Sequence, residues 1–257
     1  MAFAVLQELA ASTDAVGTSE LARRLGETKA RVHRHLSTLR ELGLVQKDAT
    51  TDGYRLGWKS YRLGTSLVEN FGLRKLAHRH LLRLHHESGQ TVALAMGVGA
   101  ELTVIDAIQS TGDIAITIRA GSTIAAVSSA LGRTVLAFQS PEVQQEALVA
   151  TPDAPVSGTL HNARDLARAL RAVRRRWYEL ATGERLPGVA ALGAPIFDDR
   201  NEVIGSVGLI GSALVISEPV PATLLATLQD AARRISEELG STAWAQADAP
   251  VRSAIST

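Results

Sequence analysis

Two groups of residues have the types and spacing to do chemistry. Arg31 and Arg34 stand three residues apart in the run Lys29-Ala30-Arg31-Val32-His33-Arg34, with Ser37 and Thr38 one turn further on. Guanidinium groups so placed can grip phosphates or read guanine edges, and small residues between them let a backbone approach a groove. The second group is Ser128-Ser129, just ahead of Ala130-Leu131-Gly132-Arg133. Hydroxyls in that position can cap a helix, help to hold an anion at its start, or serve as a nucleophile with His161 or Asp198 as base. Nothing in the spacing demands the last arrangement. There is no G-x-S-x-G elbow and no Walker loop, and Gly97-Val98-Gly99 lacks the third glycine of a nucleotide fingerprint. A hydrolase using Ser128 or Ser129 is therefore the rival reading, and a protein that is not an enzyme the expected one.

Histidines offer little more. His78 and His85 share a helical face and His86 is adjacent, but no further ligand is pointed to by spacing, so no metal is expected. The chain has no cysteine, which excludes disulfides, thiolate metal sites and cysteine nucleophiles and suits a reducing compartment. No cofactor is called for. The arginine run Arg174-Arg175-Arg176 reads as a solvated helix end favoured by the dipole rather than a second nucleic-acid patch.

The first arginines need an element to carry them. Val5, Leu6 and Leu9 mark one face of an opening helix. Thr18 offers a cap for a second helix with Leu21, Ala22 and Leu25 inside and Gly26 as its stop. Thr28 then offers a cap for a third, in which Val32, Leu36 and Leu39 recur at helical spacing until Leu42-Gly43. Two short helices joined by a tight turn form a helix-turn-helix, and Ala30, Arg34, Ser37 and Glu41 point away from the apolar stripe, flanked by Arg31 and Thr38. Two alternating runs, Leu44–Asp48 and Tyr54–Leu56, flank a turn with Asp52-Gly53, which predicts a hairpin wing. Lys47, Arg55 and Lys59 would meet phosphates there. The expected DNA-contacting set is thus Thr28, Lys29, Ala30, Arg31, Arg34, Ser37, Thr38, Lys47, Arg55 and Lys59. Charge agrees: residues 1–75 hold 12 Lys and Arg against 8 Asp and Glu, and the remainder 15 against 18.

Further along, Trp58–Phe71 and Leu73–His86 read as helices, and Thr91–Val98, Leu102–Gln109 and Asp113–Arg119 as strands. Helices are expected over Ala130–Phe138, Pro141–Val149, Ala163–Trp177 and Ala222–Leu239, with a second hairpin, Gly188–Phe197 and Val203–Ile210, turning at Asp198–Asn201. The expected fold is α+β: an N-terminal winged helix-turn-helix (1–57), a linker helix (58–75) and a body (76–257) with one mainly antiparallel sheet. The longest apolar stretch, Val203–Ile216, is broken by glycines and falls short of the roughly 20 residues of a membrane span, and no leader-like segment opens the sequence. A soluble, cytoplasmic protein with no membrane partner is expected.

The strings Ser19–Gly26, Val32-His33-Arg34, Leu39–Val45 and Tyr54–Gly57 resemble the IclR family of bacterial transcriptional regulators. The likeness continues through Ser129–Arg133, Gly188-Val189, Ala194–Asp198 and Ala231–Ser236, and so covers nearly the whole chain. Ala30 and Arg31 depart from it, standing where the family usually has small hydroxyl residues. The resemblance implies a GAF-like α/β effector domain, a homodimer or dimer of dimers on a pseudo-palindromic double-stranded DNA operator, and a small-molecule effector, with repression the expected mode. A body that only dimerises, without effector, is the alternative. It also implies a pocket between the sheet and the segment Ser128, Ser129, Ala130 and Leu131. In relatives that bind small polar acids, polar groups enter that pocket from positions that here are Ala181, Ala191, Gly208 and Ile210. With those groups gone, an effector with one anionic or polar end and an apolar, aromatic body is expected, held against Leu94, Met96, Ile105, Ile116, Leu192 and Leu209.

Overall fold

A computed structural model describes residues 1–70, 72–97, 99–110, 116–150, 163–184 and 186–247. The chain divides into two compact units, Met1–Gly72 and Leu73–Thr257.

In the first unit, α1 (Ala2–Ala11), α2 (Thr18–Arg24) and α3 (Lys29–Glu41) bury Val5, Leu9, Leu21, Ala22, Val32, Leu36 and Leu39 in one core. The spacing of these residues puts them on the inner faces of their helices. Gly26 and Gly43 follow α2 and α3 with φ of 63° and 73°, a left-handed conformation that glycine adopts without strain. Thr28 caps α3, its hydroxyl accepting from Arg31 N–H at 3.4 Å. Thr18 does not cap α2, as the spacing had suggested; it is the first helical residue, and the cap position is Gly17 with no side-chain bond. Strands β1 (Val45–Lys47) and β2 (Tyr54–Leu56) form the wing, with Gln46 opposite Arg55, and Val16 bridges to Tyr54. Helix α4 (Trp58–Asn70) follows, Trp58 and Tyr61 stacking at 4.9 Å between ring centroids on its exposed surface.

The second unit is built on a six-stranded antiparallel sheet in the order β5-β4-β3-β8-β7-β6. The strands are β3 (Thr91–Met96), β4 (Glu101–Ile108), β5 (Thr123–Ala125), β6 (Glu179–Thr182), β7 (Val189–Phe197) and β8 (Val203–Ser212). Edge strands β5 and β6 were not expected. Of the anticipated strand Asp113–Arg119, residues 116–119 are irregular and 113–115 lie outside the described residues. Helices α5 (Gly72–Ser88), α6 (Ala130–Leu136), α7 (Pro141–Ala150), α8 (Ala163–Arg176) and α9 (Ala222–Glu238) match the expected segments closely, while the short α10 (Ala243–Ala247) was unforeseen.

Register assigns the two faces of the sheet. Val92, Leu209 and Leu192 align across β3, β8 and β7, as do Leu94, Val207 and Ala194. Asp106, opposite Leu94, accepts from His78 of α5, and Ser236 of α9 accepts from Phe197 N–H, so α5 and α9 cover this face. The residues between them, Ala93, Gly208 and Gly193 in one row and Thr91, Ile210 and Ala191 in the next, face α6. The approach of α6 is close because its footprint is glycine. A Cβ on Gly208 would lie 2.4 Å from Leu131 Cδ1, and one on Gly193 2.9 Å from Thr134 Oγ1. On the helix side, a Cβ on Gly132 would lie 2.4 Å from Ala126 Cα and 2.5 Å from its carbonyl oxygen, both backbone atoms.

Gly132→Ala is therefore expected to force α6 away from the sheet and to lower stability by about 1–3 kcal/mol. Urea unfolding would measure this; an unchanged midpoint would show that the segment around Ala126 yields freely.

Candidate functional site

The expected DNA-contacting residues all lie in the first unit. Lys29, Ala30, Arg31 and Arg34 are exposed on α3; Ser37 is half-buried, and Thr38 is exposed with its hydroxyl donating to the Arg34 carbonyl at 3.2 Å. Lys47 and Arg55 are exposed on the two wing strands and Lys59 near the start of α4. Lys59 also lays its methylene stem beside Gly43, where an added Cβ would meet it at 3.2 Å.

These cations are of two kinds. Arg31 Nη1 donates to both oxygens of Glu27, at 2.8 and 3.0 Å. Arg55 pairs with Asp48, and Lys47 with Asp52. Asp48 in turn accepts from the N–H and hydroxyl groups of Thr50 and Thr51, bonds that hold its carboxyl well below the usual range and close the wing turn. Lys29, Arg34 and Lys59 have no ion pair among the described residues.

In the second unit a cavity of about 470 Å³ opens between α6 and its face of the sheet. It is lined by eight of the residues expected from the sequence: Ile116, Ser128, Ser129, Ala130, Leu131, Ala181, Ala191 and Ile210. Six others do not line it. Leu94, Met96, Leu192 and Leu209 belong by register to the opposite face, under α5 and α9, because successive strand residues alternate sides. Ile105 is left unpaired where the β3–β4 register shifts, Leu94 pairing with Asp106 and Ala95 with Val104. Gly208 faces α6, but Leu131 occupies the space above it. The wall is completed by residues that the sequence did not single out, among them Ala93, Val104, Ile118, Ile124 and Val189.

Polar groups on the wall are Thr117, Arg119, Ser122, Thr123, Ser128, Ser129 and Glu184. Ser129 is already committed: its hydroxyl accepts from Gly132 N–H and donates to the Ala125 carbonyl, both at 3.0 Å. Asp198, the other partner suggested for a serine nucleophile, accepts from Arg200 and Glu202 N–H in the β7–β8 turn, and His161 lies outside the described residues. Of the histidines considered as metal ligands, His78 bonds Asp106 at 2.7 Å and His85 the Gln90 carbonyl at 2.8 Å.

Behind the cavity Arg133 is 1% exposed. Its Nε donates to Glu179 at 2.8 Å, its Nη1 and Nη2 to the two oxygens of Glu184 at 2.7 and 2.8 Å, and Nη1 also to the Val127 carbonyl at 3.1 Å. Burial opposes the charge on Arg133, but the bonds from the two carboxylates outweigh it and raise its pKa above that of an ordinary arginine. Glu179 is also paired with Arg176. Glu184 on the wall and Glu179 behind it are thus matched by cations, which leaves Arg119, exposed and without an ion pair among the described residues, as the unmatched charge on the wall. Arg119 lay at the end of an expected strand, and only its charge beside Gly121 marked it in the sequence.

Comparison with known proteins reaches both units. Residues 2–49 match the IclR helix-turn-helix domain, and residues 65–237 the C-terminal domain of bacterial transcriptional regulator IclR. The chain is 30% identical over 241 residues to the glycerol operon regulatory protein of Streptomyces coelicolor, covering 93% of this chain and 94% of that one. It is 27% identical over 214 residues to the transcriptional repressor IclR of Escherichia coli, covering 80% and 77%. Among solved structures, a putative IclR regulator from Silicibacter sp. TM1040 superposes with a TM-score of 0.84 at 23% identity, covering 94% and 95% of the two chains. An IclR homologue from Microbacterium hydrocarbonoxydans complexed with 4-hydroxybenzoate does so with a TM-score of 0.76 at 22% identity, covering 93% and 97%.

Arg133→Met removes the buried cation that joins Glu179 and Glu184 and is expected to cost about 3–5 kcal/mol. Adding Glu179→Leu and Glu184→Leu should recover most of the loss in a thermal melt. A single variant as stable as the parent would show that water already reaches the cluster.

Proposed function

The chain belongs to the IclR family of bacterial transcriptional regulators, and from that premise we propose that it represses transcription until a small monoanionic molecule with an apolar, aromatic body enters the cavity beside α6. It is a DNA-binding regulator and not an enzyme. Repression is favoured by the named function of the Escherichia coli relative. A homodimer or dimer of dimers on a pseudo-palindromic operator is the assembly that fits, because one winged unit presents too few base contacts for genomic specificity.

The observation that carries the effector reading is Arg119, the one charge on the wall without an ion pair among the described residues, set beside a largely apolar surface. A volume of about 470 Å³ lies within the range of small-molecule sites, roughly 300–1,000 Å³. Ala93, Ala181 and Ala191 present methyl groups, and Ile116, Ile118 and Ile210 larger apolar surface. A small, highly polar acid would leave oxygens unpaired against that surface, whereas a ring gains from burial. The cation calls for one negative end, and the hydroxyls of Thr117 and Thr123 offer partners to a second polar substituent. The 4-hydroxybenzoate bound by the Microbacterium homologue has this two-ended chemistry. The anionic end is better assigned to Arg119 than to the start of α6, where Ser129 is already occupied.

On the DNA side, Arg34 is exposed in the N-terminal half of α3 and has no acidic partner among the described residues, and it is assigned to base contact. Lys47, Arg55 and Lys59 are assigned to phosphates, where they contribute affinity without sequence information.

In a thermal-shift and calorimetric screen, benzoate derivatives should stabilise the protein and pyruvate and glyoxylate should not. Arg119→Gln should weaken binding of the anionic ligands about tenfold or more while leaving neutral benzamides unaffected. Stabilisation by the small keto acids alone overturns the effector class, and no stabilisation by any acid favours a body that only dimerises. Arg34→Ala should cost roughly 1–3 kcal/mol on the operator and much less on random duplex; equal losses on the two would demote it to a phosphate contact.

A further inference from the structure

We propose that Glu27 is a positioning residue for DNA recognition, one that orients Arg31 for a base edge and withholds it from random phosphates. The inference rests on the assignment of α3 as the DNA-contacting helix. Glu27 lies just before the Thr28 cap, and its backbone N–H donates to the Ala22 carbonyl at 2.9 Å, so its position is set by the turn that closes α2. Its side chain is 22% exposed, against 54% for Arg31. The carboxylate is therefore the fixed partner and the long arginine the one that is held.

Both bonds from Arg31 to Glu27 leave from one nitrogen, Nη1, at 2.8 and 3.0 Å. No hydrogen bond is formed by Nη2 or Nε among the described residues. A guanidinium carries five donors in a rigid fork, so one nitrogen can stay on the carboxylate while the others face a guanine O6 and N7. The pair can thus enter the major groove intact. A phosphate, by contrast, meets a side chain whose charge is already answered, and it must approach the Glu27 carboxylate as well. Glu27 at the start of α3 also opposes the dipole that would otherwise draw a phosphate to that end of the helix. One carboxylate therefore favours readout by Arg31 and disfavours unspecific binding, whereas Lys29, which has no acidic partner among the described residues, keeps its full attraction for any duplex.

The test uses the full chain, the duplex that it retains from a random-sequence pool, and an unselected duplex of equal length. Glu27→Gln should bind the unselected duplex about five- to tenfold more tightly, with a salt slope steeper by about one. Its preference for the selected duplex should fall at least tenfold, and its melting temperature should stay close to that of the parent. Replacing guanines in turn by 7-deazaguanine, which lacks the N7 acceptor, should reveal one position that weakens the parent and not Glu27→Gln. An unchanged preference and slope overturn the proposal, as does an equal loss on both duplexes, which would mean a structural role alone. Arg31→Ala separates the two levels: if it changes binding to neither duplex, the assignment of α3 falls, and if it weakens binding while Glu27→Gln leaves the preference intact, only the role of Glu27 falls.

Discussion

The body of this regulator depends on how closely one short helix can lie on a sheet. Seven-residue α6 rests on Gly193 and Gly208, which are register partners on β7 and β8, and Gly132 lets Ala126 pass beneath it. Ser206 clamps the arrangement, its hydroxyl donating to the Leu131 carbonyl at 3.0 Å. Helix depth fixes everything nearby. It buries Arg133 where only full pairing makes the charge tolerable, and it sets Leu131 as one wall of the cavity. A helix held higher would leave Glu179 and Glu184 wet and the cavity open. The glycines are small for packing reasons rather than conformational ones, since none of the three has a positive φ.

Most of this scaffold was legible in the sequence because most of it is periodic. Leu36 and Leu39 on α3, Leu81 and Leu84 on α5 and Leu228 and Ile235 on α9 each announce an inner face. Asp52-Gly53 and Asp198–Asn201 announce the turns of the hairpins β1–β2 and β7–β8. The strands that escaped, β5 and β6, are three and four residues long, too short to show a period, and their place at the edges comes from pairing with β4 and β7. Thr18 misled because a hydroxyl before an apolar run signals a cap, yet the φ of −72° and ψ of 153° at Gly17 already provide the extended entry.

The cavity meets the expected residues along its α6 border and departs from them at its floor. Both faces of the sheet are covered, so β3 reads as an unbroken buried run, and parity cannot say which side is hollow. The largest side chains, Leu94, Leu192 and Leu209, looked like the walls of a site, but large side chains fill space. The hollow lies where Ala93, Ala181 and Ala191 leave it. In a doubly covered sheet, a run of small residues on one parity is thus a better sign of a ligand site than a run of large ones on the other.

A common electrostatic arrangement links the two units. Each holds an arginine fixed by carboxylates, Arg31 on Glu27 and Arg133 on Glu179 and Glu184, and each holds another, Arg34 or Arg119, with no acidic partner among the described residues. A guanidinium with all three nitrogens engaged, as in Arg133, costs a ligand the loss of an existing bond before a new one forms, whereas an unmatched one offers its charge at once. In the second unit matching therefore separates the available cation from the structural one, something the sequence alone cannot do, because Glu179 and Glu184 lie 46 and 51 residues from Arg133. The single negative charge proposed for the effector follows from this cancellation. Counted by sign, the wall looks mixed; counted after pairing, one guanidinium remains among the described residues.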